Sequence, residues 1–328
     1  MPKILSFSDL DYSQNLKVDF VPPPRFGKTS FSTYKPSHSS QEIALDRVQS
    51  FLRQEARAKS NWPWQKTPFR ANGLYLDGGF GVGKTHLLAA AYDSFEGQKI
   101  YLSFSELVHL IGVLGRQAAK KELGNYKLYC IDEFELDDPG NTLIVKSFLA
   151  EVFITNAKVI TTSNTAPEAQ GQGRFNAEDF KREIQSIAKN FELLSIDGPD
   201  YRKRESLASL YSKSKFDNLL SSKDNNLKKL KTSWSELFDI LRNNHPINYL
   251  KFLKQIDALY IYDVATITWQ TDALRFVHFI DKLYDLKISL KITGDIELLE
   301  LFDDSYINTA YAKKHYRCLS RISELLEE

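Results

Sequence analysis

A glycine-rich segment between an apolar run and a helical pattern constrains the fold of this chain more than any other feature. Residues 78–85 read GGFGVGKT, which places Gly78, Gly83, Lys84 and Thr85 at the fixed positions of the pattern G-x-x-x-x-G-K-[ST]. The apolar run GLYLD precedes the segment and the helical pattern HLLAAAYDSF follows it. A strand, a glycine-rich loop and a helix N-terminus in this order form a cradle for phosphate groups, so the segment predicts a nucleotide site.

Each residue of this cradle has an expected task. Glycines let the backbone turn so that successive amides point toward the phosphate oxygens. We expect Lys84 to contact the β and γ phosphates of ATP, and the Thr85 hydroxyl to bind Mg²⁺. The alternative is a glycine-rich turn that binds no ligand. The predicted nucleotide contacts are Gly78, Gly79, Phe80, Gly81, Val82, Gly83, Lys84, Thr85 and His86.

An acidic pair closes a second apolar run, LYCIDE at residues 128–133. Magnesium needs a carboxylate partner near the cradle, and Asp132 is placed to supply it. Glu133 is placed to activate the attacking water as a general base, which suits hydrolysis better than transfer to a small acceptor. An acidic pair that merely ends a strand at the surface is the alternative. Together with the cradle, the pair predicts an ATPase that uses ATP and Mg²⁺.

The next apolar run ends in TTSN, which places Asn164 at the tip of a predicted strand. If that strand lies beside the cradle strand, the Asn164 amide reaches the γ phosphate and orients the attacking water. The alternative is an ordinary turn residue after a strand. The chain has no NKxD-like guanine signature, which favours ATP over GTP.

Five apolar runs predict the strands of a parallel sheet, because apolar residues dominate on both faces of each run. Helical patterns lie between the runs, so right-handed crossovers are expected. The predicted fold class is α/β, a P-loop NTPase (AAA+-like) parallel sheet flanked by helices, with an additional C-terminal α/β part. The five runs are GLYLD at 73–77, KIYLSF at 99–104, KLYCID at 127–132, AKVITTS at 157–163 and FELLSID at 191–197.

The chain of 328 residues is longer than one ordinary domain needs, and three parts are expected. Residues 1–70 are predicted as a proline-rich N-terminal extension with one helical pattern at Ser40–Ala58. Residues 71–205 are predicted as the P-loop ATPase core, and 206–328 as a C-terminal α/β or lid region. The sequence shows no evident internal repeat.

The C-terminal part contains a polar stretch and, after it, a series of apolar runs, and each predicts a different structure. Residues 211–235 are rich in Lys, Ser and Asn, which indicates a linker or exposed helix whose charges face solvent. A strand-helix-strand-helix series follows, and the sequence leaves open whether its strands extend the first sheet. The series consists of ALYIYDV at 258–264, DALRFVHFIDKLYDL at 272–286, KISLKIT at 287–293 and IELLELF at 296–302.

Composition narrows the range of partners. The 43 basic and 42 acidic side chains nearly cancel, so no global field draws the chain onto nucleic acid or an anionic membrane. No stretch approaches a membrane span, and the N-terminus is too polar for a secretory signal. Cys130 and Cys318 lack metal-ligand spacing and are expected to be reduced core thiols. These features favour a cytoplasmic protein.

Four segments of the sequence resemble the ZapE/AFG-like ATPases, a branch of the AAA+ class. The C-terminal segments DKLYDLKISLKITGDIELLELF and YRCLSRISELL resemble the same family, so the resemblance covers nearly the whole chain. The sequence departs from the family pattern at PGNTLIV (139–145) and in the lysine-rich 211–235. The four segments are VPPPRF…FSTYKPS at 21–37, the cradle GLYLDGGFGVGKT, LYCIDEFELDD at 128–138, and TTSN followed by FELLSIDGPDYRKR at 191–204.

The resemblance implies a homo-oligomer in the ATP-bound state, in which one subunit lends an arginine to its neighbour's γ phosphate. Arg174 is the first candidate for this arginine; its alternative is an exposed arginine without such a role. Arg182, Arg202 and Arg204 are further candidates, and Arg321 is a candidate lid sensor. The resemblance also implies a protein substrate. In bacterial members this is FtsZ, the tubulin-like division protein, whereas mitochondrial members are linked to protein quality control.

Two other functions stay open at this stage. A nucleic-acid loader of the replication-initiator kind would share GKTHLL and the Arg-Phe pair, and would place Lys-rich residues 223–231 on phosphates. The near-neutral charge and the absence of a recognisable DNA-reading motif make nucleic acid the less expected partner. The other alternative is a nucleotide-regulated binding module with little turnover.

Overall fold

The computed structural model describes residues 4–11, 20–54, 72–136, 138–166, 177–199, 207–222, 227–306 and 312–328. The strands in these ranges are β1 (Ile4–Leu5), β2 (Gly73–Gly78), β3 (Lys99–Ser103), β4 (Leu128–Asp132), β5 (Lys158–Ser163), β6 (Phe191–Ile196), β7 (Lys229–Ser233), β8 (Ala258–Val264) and β9 (Ser289–Gly294). The α-helices are α1 (Ser39–Arg53), α2 (Lys84–Ser94), α3 (Phe104–Leu114), α4 (Arg116–Leu123), α5 (Pro139–Ile154), α6 (Ala177–Ala188), α7 (Lys213–Ser221), α8 (Trp234–Asn243), α9 (Tyr249–Leu253), α10 (Gln270–Leu286) and α11 (Ala312–Glu327).

The described residues form two compact units. The core unit takes its residues from 20–22 and 26–201, and the C-terminal unit takes its residues from 1–19, 23–25 and 202–328. Strand β1 therefore belongs to the C-terminal unit, whereas α1 belongs to the core unit. In the ranges given above, no helix combines the length and the apolar character that crossing a membrane requires.

The core unit contains a five-stranded parallel sheet in the order β3-β4-β5-β2-β6. Each strand lies within one residue of its predicted bounds, and the predicted α/β fold class is confirmed. Strand β2, which leads into the cradle, pairs with β5 on one side and β6 on the other. Because the strands are parallel, the carboxyl ends of β2, β4 and β5 meet at one edge. That edge gathers the cradle, Asp132 and Asn164.

Helices cover both faces of the core sheet, as the apolar runs predict. Side chains of neighbouring residues alternate between the faces. Leu74, Leu76 and Cys130 join the buried cluster that includes side chains of α1 and α2. Tyr75 and Val159 join the opposite cluster, which includes side chains of α3 and α5. The cradle strand is thus held from both sides by apolar packing.

The C-terminal unit has a separate four-stranded parallel sheet in the order β1-β7-β8-β9. Among the described residues, its strands do not extend the core sheet. Strand β8 has the predicted bounds, and α10 begins two residues before its predicted start. The predicted helix at 296–302 was wrong: only Leu298–Leu301 turn, as a 3-10 helix, and Phe302 then bridges to Ile267.

The prediction of a linker or exposed helix at residues 211–235 agrees with α7, most of whose residues are exposed, but was wrong for the strand after it. These residues contain α7, the interior strand β7 and the start of α8. Lys229 is only 1% exposed, and its ammonium donates to the carbonyl oxygens of Leu219, Leu220 and Ser222. Composition does not distinguish a buried lysine that caps a helix C-terminus from a lysine that faces solvent, and the prediction assumed the second.

Candidate nucleotide site

The loop between β2 and α2 requires glycine at two of its fixed positions. Gly78 has a φ of +150°, and a Cβ there would collide with the backbone carbonyl of Ile196. Gly83 has a φ of +93°, and a Cβ there would lie 2.7 Å from Cε2 of Tyr34. Residues with side chains are strained in such conformations, so a side chain at either position would destabilise the loop. The turn ends at the N-terminus of α2, where the positive end of the helix favours an anion.

Lys84 links the cradle to the predicted water-orienting residue. It is the first residue of α2 and is 7% exposed. Its ammonium donates to the carbonyl oxygens of Gly78, at 2.8 Å, and Gly79, and to Oδ1 of Asn164 at 3.1 Å. The structure therefore brings Asn164 to the cradle, as expected from a strand that lies beside β2.

Asp132 ends β4 beside the start of α2. The Thr85 hydroxyl donates to its Oδ1 at 3.3 Å, and the Tyr101 hydroxyl donates to its Oδ2 at 2.9 Å. Thr162 also donates to Oδ1. Desolvation, the largest effect, and the charge of Glu133 raise the pKa of Asp132, whereas hydrogen bonds from Thr162 and Tyr101 lower it. A desolvated carboxylate beside a hydroxyl is a set of hard oxygen donors that fits Mg²⁺.

Glu133 and Glu135 follow the end of β4 and make different contacts. Glu133 has a φ of +52°, and its N–H donates to Oδ1 of Asp132 and to Oγ1 of Thr162, each at 3.1 Å. Glu135 accepts from Nδ2 of Asn164 at 3.3 Å. The Asn164 amide is thereby oriented, with its oxygen toward Lys84 and its nitrogen toward Glu135. Sequence reasoning missed Glu135, although it stands two residues after Glu133 in the same IDEFE segment.

The start of α1 and the segment before it support the cradle from outside the motif. Gln41 is fully buried, and its Nε2 donates to the carbonyl oxygen of Val82 at 3.2 Å. Its Oε1 accepts from the backbone N–H of Ser37 at 2.7 Å and of His38 at 3.2 Å. The Tyr34 hydroxyl donates to the same Val82 carbonyl at 3.4 Å. These contacts join residues far apart in sequence, and no local pattern predicted them.

His86, a predicted nucleotide contact, is held by the same segment. Its Nε2 lies 3.1 Å from Oγ1 of Thr33 and 3.2 Å from the carbonyl oxygen of Ser30. The ring of Tyr34 meets the imidazole edge-on at 5.3 Å. Burial lowers the pKa of His86, while the hydrogen bond to Ser30 raises it. The role of His86 in nucleotide binding stays a prediction.

The arginine candidates lie in different parts of the molecule. Arg174, Arg202 and Arg204 fall outside the described residues, and Arg182 is an exposed residue of α6. Arg321 is buried in the C-terminal unit, where it and Arg317 pair with Asp281. No contact of these residues tests the predicted arginine role.

Comparisons with known proteins give one family model and several relatives. A family model described as AFG1-like ATPase matches residues 12–244 and 231–328. Cell division protein ZapE of Escherichia coli (strain K12) is 23% identical, and the match covers 80% of this chain and 79% of that protein. Lactation elevated protein 1 homolog B of Danio rerio is 26% identical over 42% of this chain and 32% of that protein.

The chain is also similar to a solved structure. The crystal structure of the DnaC helicase loader shares 19% identity and a TM-score of 0.39, covering 53% of this chain and 99% of that one. The family assignment rests on the family model, which spans almost the whole sequence. The chain belongs to the AFG1-like ATPase family.

Proposed function

We propose that this ATPase is a Mg²⁺-dependent ATP hydrolase whose cycle remodels a protein partner. One observation carries the proposal: the Lys84 ammonium bonds the cradle carbonyl of Gly78 and Oδ1 of Asn164 at the same time. Thr85, the next residue, contacts Asp132. The groups that phosphoryl transfer to water requires are therefore neighbours at one edge of the core sheet.

The proposed nucleotide contacts are the cradle residues from Gly78 to His86. The backbone amides of the loop and the N-terminus of α2 bind the phosphates, because both present positive partial charge to an anion. Lys84 adds a full positive charge where negative charge develops between the β and γ phosphates. The residues present thus fit ATP.

Thr85 and Asp132 are the proposed magnesium ligands. When bound, Mg²⁺ offsets the charge of the β and γ phosphate oxygens. Tyr101 and Thr162 hold the two oxygens of Asp132 in place from opposite sides, as their hydrogen bonds show. This fixed orientation keeps the carboxylate ready for the metal and resists its rotation.

Glu133 is the proposed general base. Its carboxylate accepts a proton from the attacking water, and the loss of that proton makes the oxygen a better nucleophile toward the γ phosphate. Asn164 positions the water with an amide that Lys84 and Glu135 hold in one orientation. Arg174 is proposed to act from a neighbouring copy in an ATP-bound homo-oligomer, where its charge would stabilise the transition state.

Phosphate release tests the enzymatic part of the proposal. Purified wild-type chain should release phosphate from ATP in Mg²⁺, and Lys84→Ala should abolish the release. Glu133→Gln should reduce turnover by about 10²-fold or more while ATP binding persists. Glu96→Gln, which removes an exposed charge of the same unit, is the matched control and should behave as wild type. Wild-type release no faster than that of Lys84→Ala would refute the hydrolase, and strong ATP binding with negligible turnover would indicate a nucleotide-regulated binding module.

FtsZ is the proposed protein partner. Support comes from the likeness to ZapE, a protein named for cell division. The proposed compartment is the cytoplasm, which suits the buried free thiols of Cys130 and Cys318. Glu133→Gln should hold the ATP-bound state and should co-sediment with FtsZ polymers in ATP, whereas Lys84→Ala should not. Equal sedimentation of both variants, or of neither, would require another protein substrate.

Two lysines of the nucleic-acid alternative, Lys229 and Lys231, have other contacts within the C-terminal unit. Lys229 is buried and satisfied by helix carbonyls, so it cannot meet a phosphate backbone. Lys231 lies 5.1 Å over the ring of Tyr262 in the same sheet. Salt-sensitive DNA binding by the purified chain would reverse this conclusion.

A further inference from the structure

The two units present the same elements in the same order. In the core unit, β3, α3, α4, β4, α5 and β5 follow in this order, and the strands are parallel neighbours in the order β3-β4-β5. In the C-terminal unit, the β-strands and α-helices follow in the order β7, α8, α9, β8, α10 and β9, and the strands are parallel neighbours in the order β7-β8-β9. Parallel α/β folds are common, so this order alone does not establish a repeat.

Strand register shows a closer correspondence. Lys99 pairs with Leu128 between β3 and β4, and the residues 130 positions later, Lys229 and Ala258, pair in the same way between β7 and β8. Leu128 pairs with Lys158, and Ala258 pairs with Ser289. The displacement there is one residue greater, as it already is at the first residues of the two helices, Pro139 of α5 and Gln270 of α10.

Irregular backbone recurs at matching positions. The amides of residues 127 and 128 both donate to the carbonyl of Gln98, and those of residues 257 and 258 both donate to the carbonyl of Lys228. Positive φ angles occur at Glu133 (+52°) and Asp263 (+57°), and again at Asn156 (+58°) and Lys287 (+56°). Residues other than glycine rarely adopt a left-handed backbone conformation. Its recurrence at equivalent positions is therefore strong evidence that the two units share one backbone framework.

One stretch of the C-terminal unit is also similar in sequence to its counterpart in the core unit. Residues 99–107 read KIYLSFSEL and residues 229–237 read KLKTSWSEL, with five of nine positions identical. The retained residues have the same contacts: Ser103 caps α3 by accepting from the Glu106 N–H, and Ser233 caps α8 by accepting from the Glu236 N–H.

The two lysines of this stretch also have the same task. The Lys99 ammonium donates to the carbonyls of Asp93, at 3.1 Å, and Phe95, at 3.0 Å, where α2 ends. The Lys229 ammonium donates to the carbonyl of Leu219 at 3.0 Å and to those of Leu220 and Ser222, each at 3.1 Å, where α7 ends. Helix α7 thus corresponds to α2, the helix that follows the cradle.

We propose that the C-terminal unit is a degenerate second copy of the ATPase core that no longer binds nucleotide, so each chain binds one ATP. The number of one ATP per chain rests on the proposed function of the cradle in the core unit. The correspondence between the two units does not depend on that function. The segment before α7, residues 207–212, reads LASLYS where the cradle reads GGFGVG. It contacts β9, where the Tyr211 N–H donates to the Ile292 carbonyl. Without glycines, and with no positive φ among its residues, it does not form the amide-lined turn.

The remaining site positions are altered as well. Tyr262 stands at the position of Asp132, and Lys231 stands at the position of its partner Tyr101. The hydrogen bond to a metal-binding carboxylate is thereby replaced by an ammonium 5.1 Å from the ring centre of Tyr262. Asn164 corresponds to Asp295, an exposed carboxylate that would repel phosphate. The C-terminal unit thus keeps the strand and helix framework of the core unit but lacks the residues proposed to bind the nucleotide and the metal.

Binding stoichiometry tests the single site. Isothermal titration of the full chain with a non-hydrolysable ATP analogue in Mg²⁺ should give one molecule per chain, and Lys84→Ala should bind none. Two molecules per chain, or a site that survives in Lys84→Ala, would overturn the proposal while leaving the hydrolase intact. No binding to wild type would instead refute the proposed function together with the count.

Hydrogen exchange tests the correspondence without nucleotide. In the full chain, Lys99→Met should speed amide exchange in the last turn of α2 by about tenfold, and Lys229→Met should do the same in α7. Lys127→Met and Lys228→Met, which alter exposed lysines next to β4 and β7, are the controls and should leave both helices unchanged. An effect of Lys99→Met on α2 with no effect of Lys229→Met on α7 would show that the two lysines are not equivalent and would count against the copy.

Discussion

Gln41 donates a hydrogen bond from its Nε2 to the carbonyl oxygen of Val82, at 3.2 Å, and so ties the start of α1 to the cradle. Gln41→Leu keeps the approximate shape but leaves the Val82 carbonyl and the Ser37 N–H without this partner. We expect the free energy of unfolding to fall by about 1–3 kcal/mol, because buried polar groups lose their hydrogen bonds. The KM for ATP should rise about tenfold, because the loop is less well fixed.

Thermal unfolding and an ATP titration of the hydrolysis rate measure these two effects. Gln49→Leu is the control, since Gln49 accepts an exposed hydrogen bond from Arg53 on the same helix. It should change neither quantity appreciably. An unchanged KM in a folded Gln41→Leu variant would limit Gln41 to a role in stability.

Gly83→Ala should destabilise the core unit more than Gly79→Ala does. At Gly83 the backbone has a φ of +93° and an added Cβ meets the ring of Tyr34 at 2.7 Å, whereas at Gly79 nothing lies within 4 Å. Strain of this kind costs about 1–3 kcal/mol. Urea unfolding of the two variants should therefore differ by that amount. Equal stabilities would show that the loop relaxes at Gly83 without cost.

Asn164 and Glu135 should act as a pair. Asn164→Ala removes the amide near the cradle, and Glu135→Gln weakens the contact that orients it. We expect each single change to lower kcat, with the larger loss for Asn164→Ala, and little change in ATP binding. In the double variant the loss should be smaller than the sum of the two in free energy, because the second change removes a contact already absent. Additive losses would indicate that Glu135 acts independently of Asn164.

The edge of the core sheet that carries the cradle could be predicted because its signals are local. A strand, a glycine-rich turn and a helix cap stand next to each other in sequence, and parallel pairing then fixes which strand ends meet. Asp132 and Asn164 follow from that rule without further information. The contacts of Gln41 and Tyr101 could not, because they join distant segments through side chains whose neighbours no spacing rule identifies.

The C-terminal unit was harder to predict for a different reason. Its strand β7 begins with Lys229, and a lysine in a polar stretch normally indicates a solvated position. Its burial depends on three carbonyl groups at the end of α7, which exist only in the folded unit. The proposed repeat was also hard to find in the sequence, because the two units keep the same strand register although most of their equivalent residues differ.

Asp281 should make the C-terminal unit sensitive to acid. Desolvation, the largest single effect, raises its pKa, but Arg317 and Arg321, with a contribution from His278, together lower it to about 2. Because the folded-state pKa lies below the ordinary value, the carboxylate stabilises the fold above about pH 4 and loses that contribution as the pH falls toward 2.

Asp281→Asn should therefore lower the free energy of unfolding near pH 7 by about 3–5 kcal/mol, since the buried guanidinium groups of Arg317 and Arg321 lose their carboxylate. The difference from wild type should shrink between about pH 4 and pH 2, where wild type loses the same interaction. Urea unfolding at a series of pH values measures both. Asp239→Asn, which removes an exposed pair with Arg242, is the control and should change stability by less than about 1 kcal/mol. A constant difference between Asp281→Asn and wild type across this pH range would mean that the carboxylate contributes through packing and not through its charge.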